Sequence, residues 1–216
     1  MHLSKILARV GLVGVGAAGA MGVSLFLNSP APSTPVASIA PASYEAVAAN
    51  GEIDSVHSGV VFRIMHVGAS PFHGMFPGIE GTMVVDPENA GESMIDVTID
   101  VSRVWTGNNS RDEHLRSADY FNVRQFPTST FKASGGKANG DGSVTVDGEL
   151  TLLGKTLPVS AIIRKTGEGD FRTQRRVGYE ATMSFERSDF GMTTSIDNGG
   201  LGDTVDLTIF VEATKQ

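Results

Sequence analysis

From residue 53 onward, apolar and polar side chains alternate in a series of short runs. In the clearest run, residues 95–101, four aliphatic side chains alternate with polar ones. This alternation is typical of a β-strand with one buried face, because successive side chains of a strand point to opposite sides. The pattern predicts eight strands, at residues 60–67, 79–85, 95–101, 128–137, 142–152, 156–165, 177–186 and 203–213.

Short connections between the predicted strands indicate how the strands pair. Segments 139–142 (NGDG), 153–155 (LGK) and 167–170 (GEGD) contain glycine and read as hairpin loops, so an antiparallel sheet is expected. Eight such strands can hide their apolar faces in a sandwich or in a closed barrel. The alternation alone does not decide between the two.

One helix is predicted between the third and fourth strands. Ser110 followed by Glu113 matches a capping box, in which the serine is the N-cap and the acid lies three residues later. The helix should run through Leu115 to about Ser117 and end before Pro127. The same capping role accounts for the carboxylate beside His114 without acid–base catalysis.

The N-terminal region differs from the rest of the chain. Lys5 and Arg9 precede residues 10–27, which carry no charge, so residues 1–27 are expected to be a signal peptide or a retained signal anchor. Residues 28–43 contain four prolines and read as a linker, and residues 44–216 as the barrel domain. This organisation predicts an exported protein that is periplasmic or extracellular, either released or tethered by an uncleaved N-terminal helix.

Composition and charge exclude several classes of protein. The formal net charge is −7, whereas a surface that follows nucleic-acid phosphates needs a basic excess, so no nucleic-acid partner is expected. The absence of cysteine excludes disulfides, thiolate catalysis and cysteine-based metal sites.

Seven segments in order along residues 52–214 closely resemble the YceI-like family of exported bacterial lipid-binding proteins. They are residues 53–58 (IDSVHS), 60–68 (VVFRIMHVG), 72–76 (FHGMF), 111–121 (RDEHLRSADYF), 126–131 (FPTSTF), 148–156 (GELTLLGKT) and 187–192 (RSDFGM). The resemblance implies an all-β, extended, eight-stranded antiparallel lipocalin-like barrel with one short helix. It further implies a hydrophobic tunnel that binds, sequesters or transports a polyisoprenoid, such as a quinone tail, or a similar amphiphilic lipid.

Strand alternation and this resemblance together give a set of eighteen residues expected to line the tunnel. Leu115 and Phe121 would cover the barrel mouth, and His66 shares a face with Phe62. The set is Phe62, Ile64, His66, Phe76, Met83, Val97, Ile99, Leu115, Phe121, Phe131, Leu150, Val159, Ala161, Ile163, Phe185, Phe190, Leu207 and Ile209. Burying a prenyl chain there needs volume and an apolar lining, and requires no catalytic group.

Other candidate sites have ordinary structural explanations. The histidines at 57, 66, 73 and 114 lack close metal-ligand spacing, so no metal site is predicted. His66 is either a hydrogen-bonded barrel residue or a polar contact for a lipid head group. Ser188 and Asp189 are expected to cap a turn, with no catalytic role. The basic cluster at 164, 165, 172, 175 and 176 is either a solvated hairpin or a cationic rim that touches membranes transiently.

Two alternatives to a lipid carrier stay open at this stage. A barrel filled by its own side chains would favour a structural or stress-response interaction module. A polar constellation inside the barrel would favour an enzyme acting on a bound lipid. No cofactor is expected beyond the bound isoprenoid or quinone-like lipid, and the sequence leaves the oligomeric state open.

Overall fold

Ten β-strands and one α-helix make up the part of the chain that the structure, a computed structural model, describes: residues 51–215. The expected export segment (1–27) and linker (28–43) lie outside these residues. Within residues 51–215 no helix has the length and apolar character needed to cross a membrane. The elements are β1 Gly59–His66, β2 Ser70–Pro77, β3 Glu80–Val84, β4 Met94–Asp100, α1 Asn109–Arg116, β5 Thr128–Ser134, β6 Lys137–Ala138, β7 Ser143–Leu152, β8 Lys155–Phe171, β9 Gln174–Glu186 and β10 Leu201–Lys215, with 3₁₀ helices at Pro87–Glu92, Val101–Arg103 and Arg187–Phe190.

The eight predicted strands are all present, and β2 and β6 were not predicted. Strand β2 carries Pro71 and Pro77 at its ends and Gly74 inside, residues that interrupt a strand pattern. Among the strands of residues 51–215 it pairs with β1 alone, so it is an edge strand, where proline costs no ladder hydrogen bond. Strand β6 is a two-residue pairing with β7.

One of the three predicted hairpin loops is wrong. Residues 167–170 lie inside β8, where a bulge between Lys165 and Gly167 accommodates the glycines, and β8 turns into β9 only after Phe171. The loops at 139–142 and 153–155 are confirmed, since each connects two paired strands. At the second of these, Leu153 and Gly154 both have positive φ, as in the tight turns that suit hairpins.

The sheet curls into an antiparallel barrel, as predicted. Its strand order is β2-β1-β10-β9-β8-β7-β5-β4-β3, which puts β2 and β3 at opposite edges. Only Gly78 and Ile79 separate these two strands in sequence, so the end of β2 lies close to the start of β3. Gly78 has a φ of 81° at this corner. Residues 51–54 then bridge β3 and β10, because Gly51 O accepts from Met83 N at 2.8 Å and Glu52 O accepts from Thr214 N at 2.9 Å.

One end of the barrel is filled by its own side chains. Val144, Val146 and Ala213 are fully buried there, and Ala161 and Ile163 are each 1% exposed. These residues lie where β7 begins and β10 ends. A close-packed interior at this end leaves any space for a ligand to the opposite end.

The basic hairpin is part of the filled end and is largely paired with acids. Lys165, Lys215 and Arg175 all bond to Glu168, and together they hold the pKa of Glu168 well below its usual range. Arg164 pairs with Asp141 at 2.8 Å. Strand β9 runs from this hairpin toward the other end, so the cluster forms no rim around the hollow part of the barrel.

Candidate functional site

An apolar cavity of about 380 Å³ occupies the end of the barrel opposite the filled core. Side chains of β1 and β2, the last residues of β7 and β9, the first residues of β10, and α1 surround it. Its volume falls within the range of small-molecule sites, which are mostly apolar with a few polar groups. The cavity is therefore confined to this end of the barrel.

Three phenylalanines form one wall of the cavity. The Phe62 and Phe76 rings are 5.7 Å apart, and Phe121 meets Phe76 edge-on at 5.3 Å. Phe62 lies against Gly74 of the neighbouring strand, where a Cβ atom would come within 2.3 Å of the ring. The absence of a side chain at Gly74 thus lets the Phe62 ring lie back toward the sheet.

Helix α1 covers the cavity with Leu115, as expected, but it begins earlier than predicted. Asn108 is the N-cap and its Oδ1 accepts from Arg111 N at 3.0 Å, so Ser110 lies inside the helix and the predicted capping box is wrong. Asparagine is as strong an N-cap as serine and stands two residues earlier.

Polar contacts fix α1 to the segment that follows β4. The buried carboxylate of Asp112 accepts from Thr106 N at 2.9 Å and from Thr106 Oγ1 at 2.5 Å. Arg116 donates to the carbonyls of Ser102 and Val104 at 2.6 and 2.9 Å. The helix is therefore held over the cavity by hydrogen bonds as well as by apolar packing.

The cavity also has a polar side, built around Arg187. This side chain is 1% exposed and donates to three backbone carbonyls, of Gly202, Met192 and Thr194. Burial lowers the pKa of its guanidinium. Tyr120, 8% exposed, lies nearby on the same cavity.

Ten of the eighteen predicted lining residues face the cavity. They come from β1, β2, β4, α1, the loop after α1, β7, β9 and β10, and they are Phe62, Ile64, His66, Phe76, Ile99, Leu115, Phe121, Leu150, Phe185 and Leu207. Whether they touch a ligand stays a prediction.

The other eight predicted residues do not line the cavity. Met83, Phe131, Ala161, Ile163 and Phe190 are buried in the core, while Val97, Val159 and Ile209 are half-buried and pack against it. Alternation along a strand tells which side of the sheet a residue faces, and the seven of these residues that lie in strands are on the apolar side; Phe190 lies in a 3₁₀ helix. It does not tell the height of the residue along the barrel axis, which decides between core and cavity.

Sequence reasoning missed several residues that do face the cavity. They are contributed mainly by loops and by the helix, where a period of two gives no signal: Val67, Phe72, Val101, Arg111, His114, Tyr120, Ser129, Leu152, Arg187, Met192, Ser195, Gly200, Leu201 and Val205. Of these residues, Arg187 could have been suggested by the sequence, because Phe190 in the same segment was already expected to point inward.

His66 lies at the exposed end of β1, on the cavity rim. Within residues 51–215 its ring makes no hydrogen bond, so the prediction of a hydrogen-bonded barrel histidine is wrong. Its position leaves the contact with a ligand head group as a prediction.

The remaining chemical candidates have structural partners. Ser188 donates to Asp203 from its backbone N–H and its hydroxyl, and these bonds, against the effect of burial, lower the pKa of Asp203. Asp54, His57 and Glu212 lie close enough to hold a metal ion, but Arg176 already pairs with Asp54 at 3.2 Å and Glu212 at 3.7 Å. That arrangement is explained as an ion-pair network that anchors residues 51–54.

Val67 sits on the cavity rim in a conformation that suits its side chain poorly. In the β1–β2 turn, Val67 and Gly68 have φ of 47° and 66°, and valine rarely adopts positive φ. Asn-Gly is the preferred pair for two such positions. We expect Val67→Asn to raise the free energy of unfolding by about 1 kcal/mol, since the strain at such a residue is of that order.

Urea denaturation would measure this change, and Val56→Asn is the matched control. Val56 is 84% exposed and is not among the residues with positive φ, so its substitution should leave stability unchanged. Equal effects of the two substitutions would show that Val67 is not strained.

A YceI-like domain model matches residues 52–213 of the chain. Protein YceI of Escherichia coli is 38% identical over 174 residues, covering 79% of this chain and 90% of that protein. Protein YceI of Salmonella arizonae is 39% identical over the same length and coverage.

Three solved structures resemble this fold. BcnA of Burkholderia cenocepacia superposes with a TM-score of 0.68 at 23% identity, over 75% of this chain and 99% of its own. The Campylobacter jejuni YCEI protein gives 0.59 at 28% identity, over 66% and 84%. A polyisoprenoid binding domain from Saccharophagus degradans, implicated in plant cell wall breakdown, gives 0.58 at 16% identity, over 76% and 98%.

Proposed function

Because the chain belongs to the YceI-like domain family, we propose that it binds and sequesters a polyisoprenoid or a similar amphiphilic lipid in its cavity. The observation that carries the proposal is the cavity of about 380 Å³ walled by Phe62, Phe76, Phe121 and aliphatic side chains. The polyisoprenoid binding domain of similar fold supports this ligand class. A barrel filled along its whole length would have favoured a structural module.

The energetics favour a long chain as the ligand. Burying one CH₂ group contributes about 0.8 kcal/mol, so ten carbons contribute about 8 kcal/mol before the costs of association. Those costs amount to at least about 4 kcal/mol, whereas micromolar affinity needs about 8 kcal/mol net. We therefore propose a ligand that buries clearly more than ten carbons, as a chain of several isoprene units would.

Export to the periplasm or the extracellular space stays part of the proposal. It rests on the basic start and apolar run of residues 1–27. A carrier outside the cytoplasm would keep an insoluble chain in solution between membranes.

Native mass spectrometry of protein purified from its own cells is the test of lipid binding. We expect a mass excess over the denatured polypeptide that corresponds to one lipid per chain, and extraction should identify that lipid. The delipidated protein should then bind geranylgeraniol in a calorimetric titration with a negative heat-capacity change, the mark of apolar burial. Protein that purifies without lipid and binds no geranylgeraniol would contradict the proposal.

A further inference from the structure

Arg187 is a buried cation on the wall of an otherwise apolar cavity. Its side chain is 1% exposed, and within residues 51–215 no carboxylate oxygen lies within 4.0 Å of its guanidinium. Asp203 acts on it only at longer range. A buried charge without a close counter-ion is costly, so a partner for Arg187 is expected from outside the chain.

Within residues 51–215, two of the five N–H groups of Arg187 have no acceptor. Nε donates to Gly202 O at 2.8 Å, Nη1 to Met192 O at 3.0 Å and Nη2 to Thr194 O at 2.9 Å. A guanidinium has five N–H groups, which leaves one unused on each terminal nitrogen. Two unused N–H groups on one guanidinium can donate to the oxygens of a carboxylate or phosphate.

Tyr120 adds a second unused donor on the same wall. It is 8% exposed and lines the cavity, and its hydroxyl makes no hydrogen bond to any of the residues 51–215. The His114 ring meets the Tyr120 ring edge-on at 5.1 Å, and His114 bonds to Asp119 at 3.0 Å, so the tyrosine is held in place. This hydroxyl is not fully enclosed, so an acceptor in the cavity can reach it.

We propose that Arg187 and Tyr120 form the head-group subsite of the cavity, and that the bound amphiphile carries an oxyanion, a carboxylate or phosphate, which accepts from both. The inference rests on the proposed lipid binding and extends it, because it names the chemistry of the polar end. The apolar wall of Phe62, Phe76 and Phe121 then takes the chain.

A series of C20 isoprenoids that differ only at the head tests the subsite in the delipidated wild-type protein. The acid, the alcohol and the parent hydrocarbon would each compete with Nile red, a neutral probe. We expect the acid to bind at least tenfold more tightly than the hydrocarbon at pH 7. Equal affinities for the acid and the alcohol, or for the acid and the hydrocarbon, would overturn the proposal that the ligand carries an oxyanion. Binding of none of the three would instead overturn the proposed function.

Tyr120→Phe separates the subsite from general packing, because it removes only the hydroxyl. It should reduce the preference for the acid over the hydrocarbon by at least threefold and leave hydrocarbon affinity unchanged. Tyr179→Phe is the matched control, since Tyr179 is equally buried but donates to Val85 O at the filled end. An unchanged preference in Tyr120→Phe, or the same loss in both variants, would overturn the role of Tyr120.

Discussion

Replacing Arg187 with methionine should lower the free energy of unfolding by about 3–5 kcal/mol. The substitution leaves the carbonyls of Met192, Thr194 and Gly202 without their donor, and each buried polar group left unsatisfied costs about 1–3 kcal/mol. These carbonyls belong to the loop before β10 and to the first residues of β10. Urea denaturation should therefore show a large fall in midpoint with little change in slope.

Arg164→Met is the matched control for this experiment. Arg164 pairs with Asp141 on the surface, and both side chains are more than half exposed. Such pairs contribute less than about 1 kcal/mol, so the variant should remain close to wild type. If Arg187→Met is no less stable than Arg164→Met, the loop does not depend on the buried guanidinium.

Filling the cavity with Val205→Phe should abolish most lipid binding while the protein still melts near the wild-type temperature. Val205 is half-buried, lines the cavity and lies between Ile64 of β1 and Phe185 of β9. A phenylalanine there enters empty space, so it displaces ligand without straining the core. We expect at least a tenfold fall in lipid carried per chain, measured by native mass spectrometry with thermal melting in parallel.

Ala161→Phe is the control at the filled end of the barrel, where the same added volume should have the opposite effects. Ala161 is 1% exposed in the filled core, where overpacking typically costs about 1–3 kcal/mol. This variant should melt early and keep its lipid while folded. If Val205→Phe carries a full complement of lipid, the cavity at that end is not the binding site.

The barrel could be predicted from the sequence because its strands each have one solvent-exposed face and one buried face. Alternation at residues 95–101 is a direct consequence of that arrangement, and β4 appears there. Strand β2 was not accessible, because its prolines are tolerated only by its position at an edge of the sheet, a tertiary property. The extension of β8 through 167–170 was hidden in the same way, since a bulge absorbs glycines that would otherwise mark a turn.

The candidate site could be predicted from the sequence only in part. Phe62 and Ala161 both face inward by parity, yet one borders the cavity and the other fills the core, because height along the barrel depends on strand register. Arg187 follows the last residue of β9 and looks in sequence like a solvated turn residue. Its burial results from a loop that returns over it and offers three carbonyls, which no local pattern encodes.

The contact between Phe62 and Gly74 has an evolutionary consequence. Any side chain at position 74 would collide with the Phe62 ring and push it toward the middle of the cavity. Gly74 does not itself line the cavity, so selection can change the width of the cavity through a residue outside its lining. Lineages that acquire alanine at 74 should therefore carry a smaller residue at 62. Substitutions at the two positions should be correlated among relatives that bind different ligands.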